Sequence, residues 1–247
     1  DVRKKLPFED NSVDACYSHM LYCMALTMVD LQKLNNEIHR VLKPNGLNIY
    51  TVRHTNDGDF KNGKHLKELK LPAKYFAEGI TILNNKIHLL TWKEKVGFVY
   101  NLDNFNQTKT FDYNESKEGW GFCNDGNSLY KSDGTEKIWM LDKGTYEEQN
   151  FIEIYTNKNK VVGLNELEWI EGKIFANRYL FNGLAIINPK NGAVEGVVNL
   201  SDLKNKVTQH EDLDVINGVA YNPKRKTIFV TGKMWDKIFE IKILENE

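Results

Sequence analysis

A carboxylate placed between aromatic residues is the feature of this 247-residue sequence that could most directly do chemistry. Glu78 follows Phe76 and precedes Gly79 at the head of a predicted strand, and Trp92 closes the next predicted strand. A carboxyl group that aromatic neighbours partly bury has a raised pKa, so it can transfer protons near neutral pH. A glutamate beside a glycine at a strand head is also a common solvated turn residue. The pattern alone leaves both interpretations open.

Short strands and tight turns surround this carboxylate and recur to the end of the chain. Turns that precede an apolar strand lie roughly 40 to 50 residues apart, which is the period of a propeller blade. These turns are Asn84–Lys86, Asp125–Asn127, Glu171–Lys173 and Lys224–Lys226. The pattern predicts three units of four strands, followed by three strands between Val219 and Ile243. His65–Leu71 has the alternation of one more strand, which could close a ring of about four blades.

The first 60 residues have a different pattern, typical of part of an α/β layer. Apolar residues at helical spacing predict an amphipathic helix over Leu31–Leu42, and Lys43–Gly46 should end it because proline cannot continue a helix. Leu47–Val52 is predicted to be a strand, as is Val13–Tyr17. A short helix is expected over Ser18–Leu26.

Composition excludes several classes of function. The net charge of −1 provides no basic field for nucleic acid. The longest apolar run, Met20–Leu26, is too short to cross a bilayer, and Asp1 opens a charged stretch rather than a signal segment. The three cysteines lack CxxC spacing and the histidines are scattered, so we expect buried thiols and no metal site. These features favour the cytoplasm by default and leave the oligomeric state open.

Seven segments are similar, in order and spacing, to motifs of the metal-independent propeller glutaminyl cyclases, the glutaminyl-peptide cyclotransferases of plants and bacteria. They are KYFAEGITI, LTWKEKVGFVYNLD, EGWGF, SDGTEKI, LNELEWIEGKIFAN, INGVAYNPKRKTIFVTGKMW and FEIKI. The family's members are five-bladed propellers, often exported, that convert an N-terminal glutamine into pyroglutamate with release of ammonia. The resemblance implies a mainly β fold, a β-propeller of four blades over residues 64–247, a peptide or protein substrate with N-terminal glutamine, and no cofactor. The family's first-blade motif, which adds a Phe and a Gln to the site, has no counterpart in this sequence.

The resemblance also implies roles for individual residues. Glu78 would be the general acid/base, while Asn165 and Lys233 would orient the substrate and stabilise the oxyanion. The aromatic walls of the pocket would be Phe76, Trp92, Trp120 and Tyr179, the last at a position where the family often has Trp. By pattern alone, the tryptophans also fit packing between blades. Asn165 and Lys233 also fit a strand-end hydrogen bonder and a surface cation.

Residues 1–60 are similar to another family. LPFEDNSVDACYS and LNNEIHRVLKPNGLNIYTVRH resemble the C-terminal half of the nucleotide-binding sheet of class I S-adenosylmethionine-dependent methyltransferases. That family's Gly-rich loop and ribose-binding acidic residue are absent from this sequence, which implies a partial Rossmann-like segment without a complete cofactor crevice. Three hypotheses remain: a glutaminyl cyclase, a non-catalytic peptide-binding propeller, and a remnant methyltransferase.

Overall fold

A computed structural model describes residues 5–19, 28–51 and 69–243. The chain divides into two compact units. One unit comprises residues 1–70, 203–214 and 231–239, and the other comprises residues 71–202, 215–230 and 240–247. Within the described ranges, no helix is long and apolar enough to cross a membrane.

A strand, a helix and a parallel strand form the N-terminal part. β1 (Val13–His19) pairs in parallel with β2 (Leu42–Thr51), and α1 (Met28–Val41) lies between them in the sequence. Parallel strands need a crossover connection, which the helix supplies. The predicted strands and the amphipathic helix are confirmed, and α1 buries Leu34, Ile38 and Val41 at the predicted spacing.

Two details of the N-terminal prediction were wrong. β2 begins at Leu42, because Leu42 already pairs with Val13, and the predicted turn Lys43–Gly46 lies in a register break within the strand. Ser18 and His19 belong to β1 rather than to the predicted short helix, since they pair with β2. The rest of that predicted helix lies outside the described residues.

Four successive antiparallel sheets make up residues 77–241. The first sheet contains β3 (Ala77–Leu83), β4 (Lys86–Thr91), β5 (Val96–Asn101) and β6 (Gln107–Asp112). The second contains β7 (Phe122–Asn124), β8 (Ser128–Ser132), β9 (Lys137–Asp142) and β10 (Glu148–Glu153). The third contains β11 (Leu164–Ile170), β12 (Lys173–Arg178), β13 (Gly183–Ile187) and β14 (Val194–Asn199). A 3₁₀ helix, Ser201–Lys206, precedes a three-stranded sheet of β15 (Ile216–Asn222), β16 (Thr227–Gly232) and β17 (Phe239–Ile241).

The first strand of each sheet lies beside the first strand of the next sheet. β7 contacts both β3 and β11, and β15 contacts β11. Sheets that follow chain order and meet along their first strands form a propeller arrangement, so the predicted mainly β, four-unit propeller is confirmed. The strand predicted over His65–Leu71 lies largely outside the described residues.

The core lies between the faces of consecutive sheets. Successive side chains of a strand point to opposite faces, and side chains on both faces of the second sheet pack in the core. Phe122, Leu129 and Trp139 pack in a cluster with residues of the first sheet, whereas their neighbours Cys123, Tyr130 and Ile138 pack with residues of the third sheet. Cys123 is a buried free thiol, as expected, and burial raises its pKa.

A buried ion pair joins β8 to β10. The Lys131 side chain is fully buried and its ammonium lies 2.6 Å from Oε1 of Glu148, whose side chain is 3% exposed. Lys131 also donates to the hydroxyl of Ser116 and lies over the Tyr113 ring. Glu148 accepts the backbone N–H groups of Glu115 and Ser116. Because each charge is paired and hydrogen-bonded, the cost of burying the pair is largely offset.

A partly buried carboxylate makes stability depend on pH. Burial raises the pKa of Glu168, on β11, to about 7, from an ordinary value near 4.5. The folded chain therefore binds a proton at Glu168 that the unfolded chain releases between these values, so this group lowers stability as pH rises from 4.5 to 7. We expect Glu168→Gln to be more stable than wild type by up to about 3 kcal/mol at pH 8, with little difference near pH 4.5. Urea unfolding at both pH values measures this, and a pH-independent difference contradicts it.

Candidate active site

Glu78 and Asn165 occupy the same place in two different sheets. Each is the second residue of its sheet's first strand, β3 or β11. In both strands a register shift lies at this point, between Ala77 and Ile80 in β3 and between Leu164 and Leu167 in β11. Such bulges re-aim side chains and are common beside active sites. The strand heads thus present a carboxylate and a carboxamide in equivalent positions, with Glu78 half-buried and Asn165 6% exposed.

Two glycines allow the N-terminal ends of β3, β7 and β11, which are the first strands of the first three sheets, to approach one another closely. A side chain on Gly79 would collide with the backbone oxygen of Trp120, and a side chain on Gly121 would collide with that of Asn165. Ser132 fixes the second approach, because its hydroxyl donates to the Asn165 carbonyl over 2.7 Å. The structure therefore brings the backbone segments of Glu78, Trp120 and Asn165 together.

Four aromatic residues predicted to line a pocket form two edge-to-face pairs. Phe76 and Trp92 have ring centroids 5.8 Å apart at 63°, and Trp120 and Tyr179 are 6.3 Å apart at 73°. A backbone hydrogen bond of 2.9 Å from Trp92 N–H to the Phe76 carbonyl supports the first pair. Phe76 is 46% and Tyr179 37% exposed, so an incoming ligand can reach both pairs.

Glu118 connects the two aromatic pairs, and sequence reasoning missed it. Its Oε2 accepts the indole N–H of Trp92 over 2.5 Å and that of Trp120 over 2.7 Å. The carboxylate lies in the loop between β6 and β7, within the EGWGF segment that the sequence analysis recognised. Periodicity gave no signal for this residue, because one of its two partners is 26 positions away.

Two buried carboxamides carry polar atoms that no described residue satisfies. These atoms are Oδ1 of Asn165 and both Oδ1 and Nδ2 of Asn217. Asn217 is the second residue of β15, the position that Asn165 occupies in β11, and it was not predicted. Asn177 links the two strand heads, because it accepts the Glu166 N–H and donates to the Ile216 carbonyl. Buried polar groups are normally hydrogen-bonded, which makes these atoms candidate contacts for a polar substrate.

Lys233 belongs to the other compact unit, so its place in the site remains a prediction. It lies between β16 and β17, and its carbonyl accepts the backbone N–H of Asp214. Among residues 5–19, 28–51 and 69–243, no group of three His, Cys, Asp or Glu side chains could hold a metal ion.

Comparison with known proteins identifies the second part of the chain. The family model of the glutamine cyclotransferases matches residues 46–243. The chain belongs to the glutamine cyclotransferase family. Among the relatives of this chain is the glutaminyl-peptide cyclotransferase of Arabidopsis thaliana, 35% identical over 187 residues. That match covers 75% of the chain but 58% of the relative, so the chain spans less than two thirds of that protein's length.

A solved structure supports the same family and fold. The crystal structure of Myxococcus xanthus glutaminyl cyclase matches this chain with 30% sequence identity and a TM-score of 0.63. The match covers 68% of the chain and 72% of the bacterial one. The resemblance and the propeller architecture inferred from the sequence motifs are therefore confirmed.

The N-terminal resemblance is confirmed over a shorter range. A methyltransferase domain model matches residues 1–50. The sterol 4-C-methyltransferase strm-1 of Caenorhabditis elegans is 40% identical over 67 residues, which is 27% of this chain and 19% of the relative. The similarity thus concerns a small part of a methyltransferase.

Proposed function

We propose that this glutamine cyclotransferase family member is an enzyme that converts the N-terminal glutamine of peptides or proteins into pyroglutamate with release of ammonia. One observation supports the proposal: the backbone segments of Glu78, Trp120 and Asn165 approach one another closely, and Trp120 belongs to one of the two edge-to-face aromatic pairs. A carboxylate, a carboxamide and aromatic walls are the groups that this reaction needs.

Glu78 would carry the proton in this reaction. The substrate's neutral α-amine attacks the γ-carbonyl carbon of its own side chain, which forms the ring C–N bond. A proton leaves the attacking nitrogen and another must reach the departing amide nitrogen before the C–N bond breaks and ammonia leaves. One carboxylate can accept the first proton and return it to the leaving group, and such proton transfer is worth about 10²- to 10⁴-fold in rate.

Neighbouring groups would hold the substrate for this step. The half-buried indoles of Trp92 and Trp120 offer apolar walls that keep the amine near the carbonyl, which lowers the entropic part of the barrier. The buried carboxamide of Asn165 can hydrogen-bond polar groups of the substrate. We retain Lys233 from the family resemblance as a second substrate-orienting group, able to stabilise the oxyanion on the attacked carbonyl.

We also infer two domains of different ancestry, a partial methyltransferase-like segment over residues 1–60 and the cyclase-like propeller over residues 64–247. The two family models match residues 1–50 and 46–243, which overlap only at residues 46–50 and so support this division. The placement of residues 1–70 and 71–202 in different compact units supports it as well.

Ammonia release tests the proposed activity. Incubation of the full chain with glutaminyl-alanine should release one ammonia per peptide, whereas N-acetyl-glutaminyl-alanine should release none because its nitrogen cannot attack. A folded chain that binds glutaminyl-alanine but releases no ammonia would instead be a non-catalytic peptide-binding propeller.

A further inference from the structure

A single carboxylate oxygen links the two tryptophans of the candidate pocket. Oε2 of Glu118 accepts both indole N–H groups, at 2.5 Å from Trp92 and 2.7 Å from Trp120. Trp92 follows β4 in the first sheet, whereas Trp120 precedes β7 in the second. The contact therefore joins two side chains that flank strands of different sheets.

Charge gives these hydrogen bonds their strength. Hydrogen bonds to an ionised acceptor are shorter and about twice as strong as bonds between neutral groups. An indole has one donor and two torsions, so a bond at Nε1 fixes the tilt of the ring about its attachment to the backbone.

Each tryptophan touches a further aromatic ring whose outer surface is exposed. Trp92 lies edge-to-face with Phe76, and Trp120 lies edge-to-face with Tyr179. Lys93 also lies over the Trp92 ring, 3.9 Å from its centroid. Rotation of either indole would therefore move a whole aromatic pair. The carboxylate sets the separation and angle of both walls at once.

We propose that Glu118 is a positioning residue, which fixes the two indole walls of the substrate pocket by holding both N–H groups on one oxygen. This inference rests on the proposed function for its substrate, the N-terminal residue of a glutamine-initiated peptide. Glu118 affects the binding of this peptide, because it acts through the two indoles.

The first arm of the test observes the two hydrogen bonds by NMR. Glu118→Gln keeps the size of the side chain but removes its charge, and Glu115→Gln in the same loop is the matched control. We expect the indole N–H signals of Trp92 and Trp120, assigned from Trp→Phe variants, to move upfield in Glu118→Gln alone. The signal of Trp139 should stay in place, because its N–H is held by Asp133 instead. Two unmoved signals overturn the proposal.

The second arm separates positioning from a purely structural role. In Glu118→Gln, KM for glutaminyl-alanine should rise about tenfold while kcat changes less than about threefold, since lost binding walls act on ground state and transition state alike. If the indole signals move in Glu118→Gln but KM and kcat keep their wild-type values, the proposal is overturned. A fall in kcat at unchanged KM overturns it as well.

The third arm keeps the inference testable if the wild-type chain releases no ammonia, a result that would refute the proposed activity. Glutaminyl-alanine is then titrated into the chain while the same two indole signals are followed. A wild-type response that requires about tenfold more dipeptide in Glu118→Gln supports the positioning role. If wild type and Glu118→Gln respond at the same dipeptide concentrations, or if the wild-type signals do not respond, the positioning role is overturned.

Discussion

Replacing Glu78 with glutamine is expected to lower kcat/KM for glutaminyl-alanine by about 10³-fold. Glutamine has nearly the same shape but cannot accept the proton of the attacking amine, so proton transfer is lost while the pocket is kept. KM should change little, because the indole walls and the carboxamide of Asn165 remain. Initial rates of ammonia release at several dipeptide concentrations separate the two constants.

Glu147→Gln is the matched control for this prediction, since Glu147 is an exposed glutamate in the turn between β9 and β10. It should retain wild-type kinetics. Both variants should unfold in urea at the wild-type midpoint, because Glu78 lies at a strand head rather than in a core cluster. Full activity in a folded Glu78→Gln chain contradicts the role of Glu78 as acid/base.

Lys131→Met should be the most destabilising of the single substitutions considered for this chain. The change leaves the Glu148 carboxylate, 3% exposed, without its cation, and breaking a buried pair in this way costs about 3–5 kcal/mol. Urea unfolding monitored by tryptophan fluorescence gives the free energy of unfolding. Removing both charges, in Lys131→Met with Glu148→Gln, should recover part of the loss because no charge is then left unpaired.

Lys173→Met provides the comparison, because Lys173 pairs with Glu195 across exposed positions, where the side chains are 36% and 41% exposed. Solvent screens such a pair, so we expect a loss below about 1 kcal/mol. Equal effects of Lys131→Met and Lys173→Met would contradict the contribution assigned to the buried pair.

Much of the propeller could be predicted because its signals are local. Turn residues and alternation mark where strands begin and end, and the four predicted turns end at or directly before the first residues of β4, β8, β12 and β16. The start of β2 could not be predicted, because the pairing of Leu42 with Val13 depends on a partner strand and not on the Lys43–Gly46 turn signal.

The candidate site likewise contains residues that the sequence suggested and residues that only the structure shows. Motif resemblance suggested Glu78 and the aromatic residues, and the structure shows how bulges and glycines bring the strand heads together. Glu118 and Asn217 could not be inferred, because their significance comes from contacts or burial that the fold creates between distant segments. The pairing of Lys131 likewise gives no signal in the sequence, because Glu148 is 17 positions away. Glu148 lies on β10, and β9 separates β10 from β8, which carries Lys131.

A crystal structure of the Glu78→Gln chain with glutaminyl-alanine bound would test the central claim most directly, because the variant should bind the dipeptide without consuming it. We predict that the glutamine residue of the dipeptide lies between the indoles of Trp92 and Trp120, with its α-amine within hydrogen-bonding distance of residue 78 and a polar group on Asn165. A dipeptide bound away from these residues, or with its α-amine turned away from residue 78, would contradict the account.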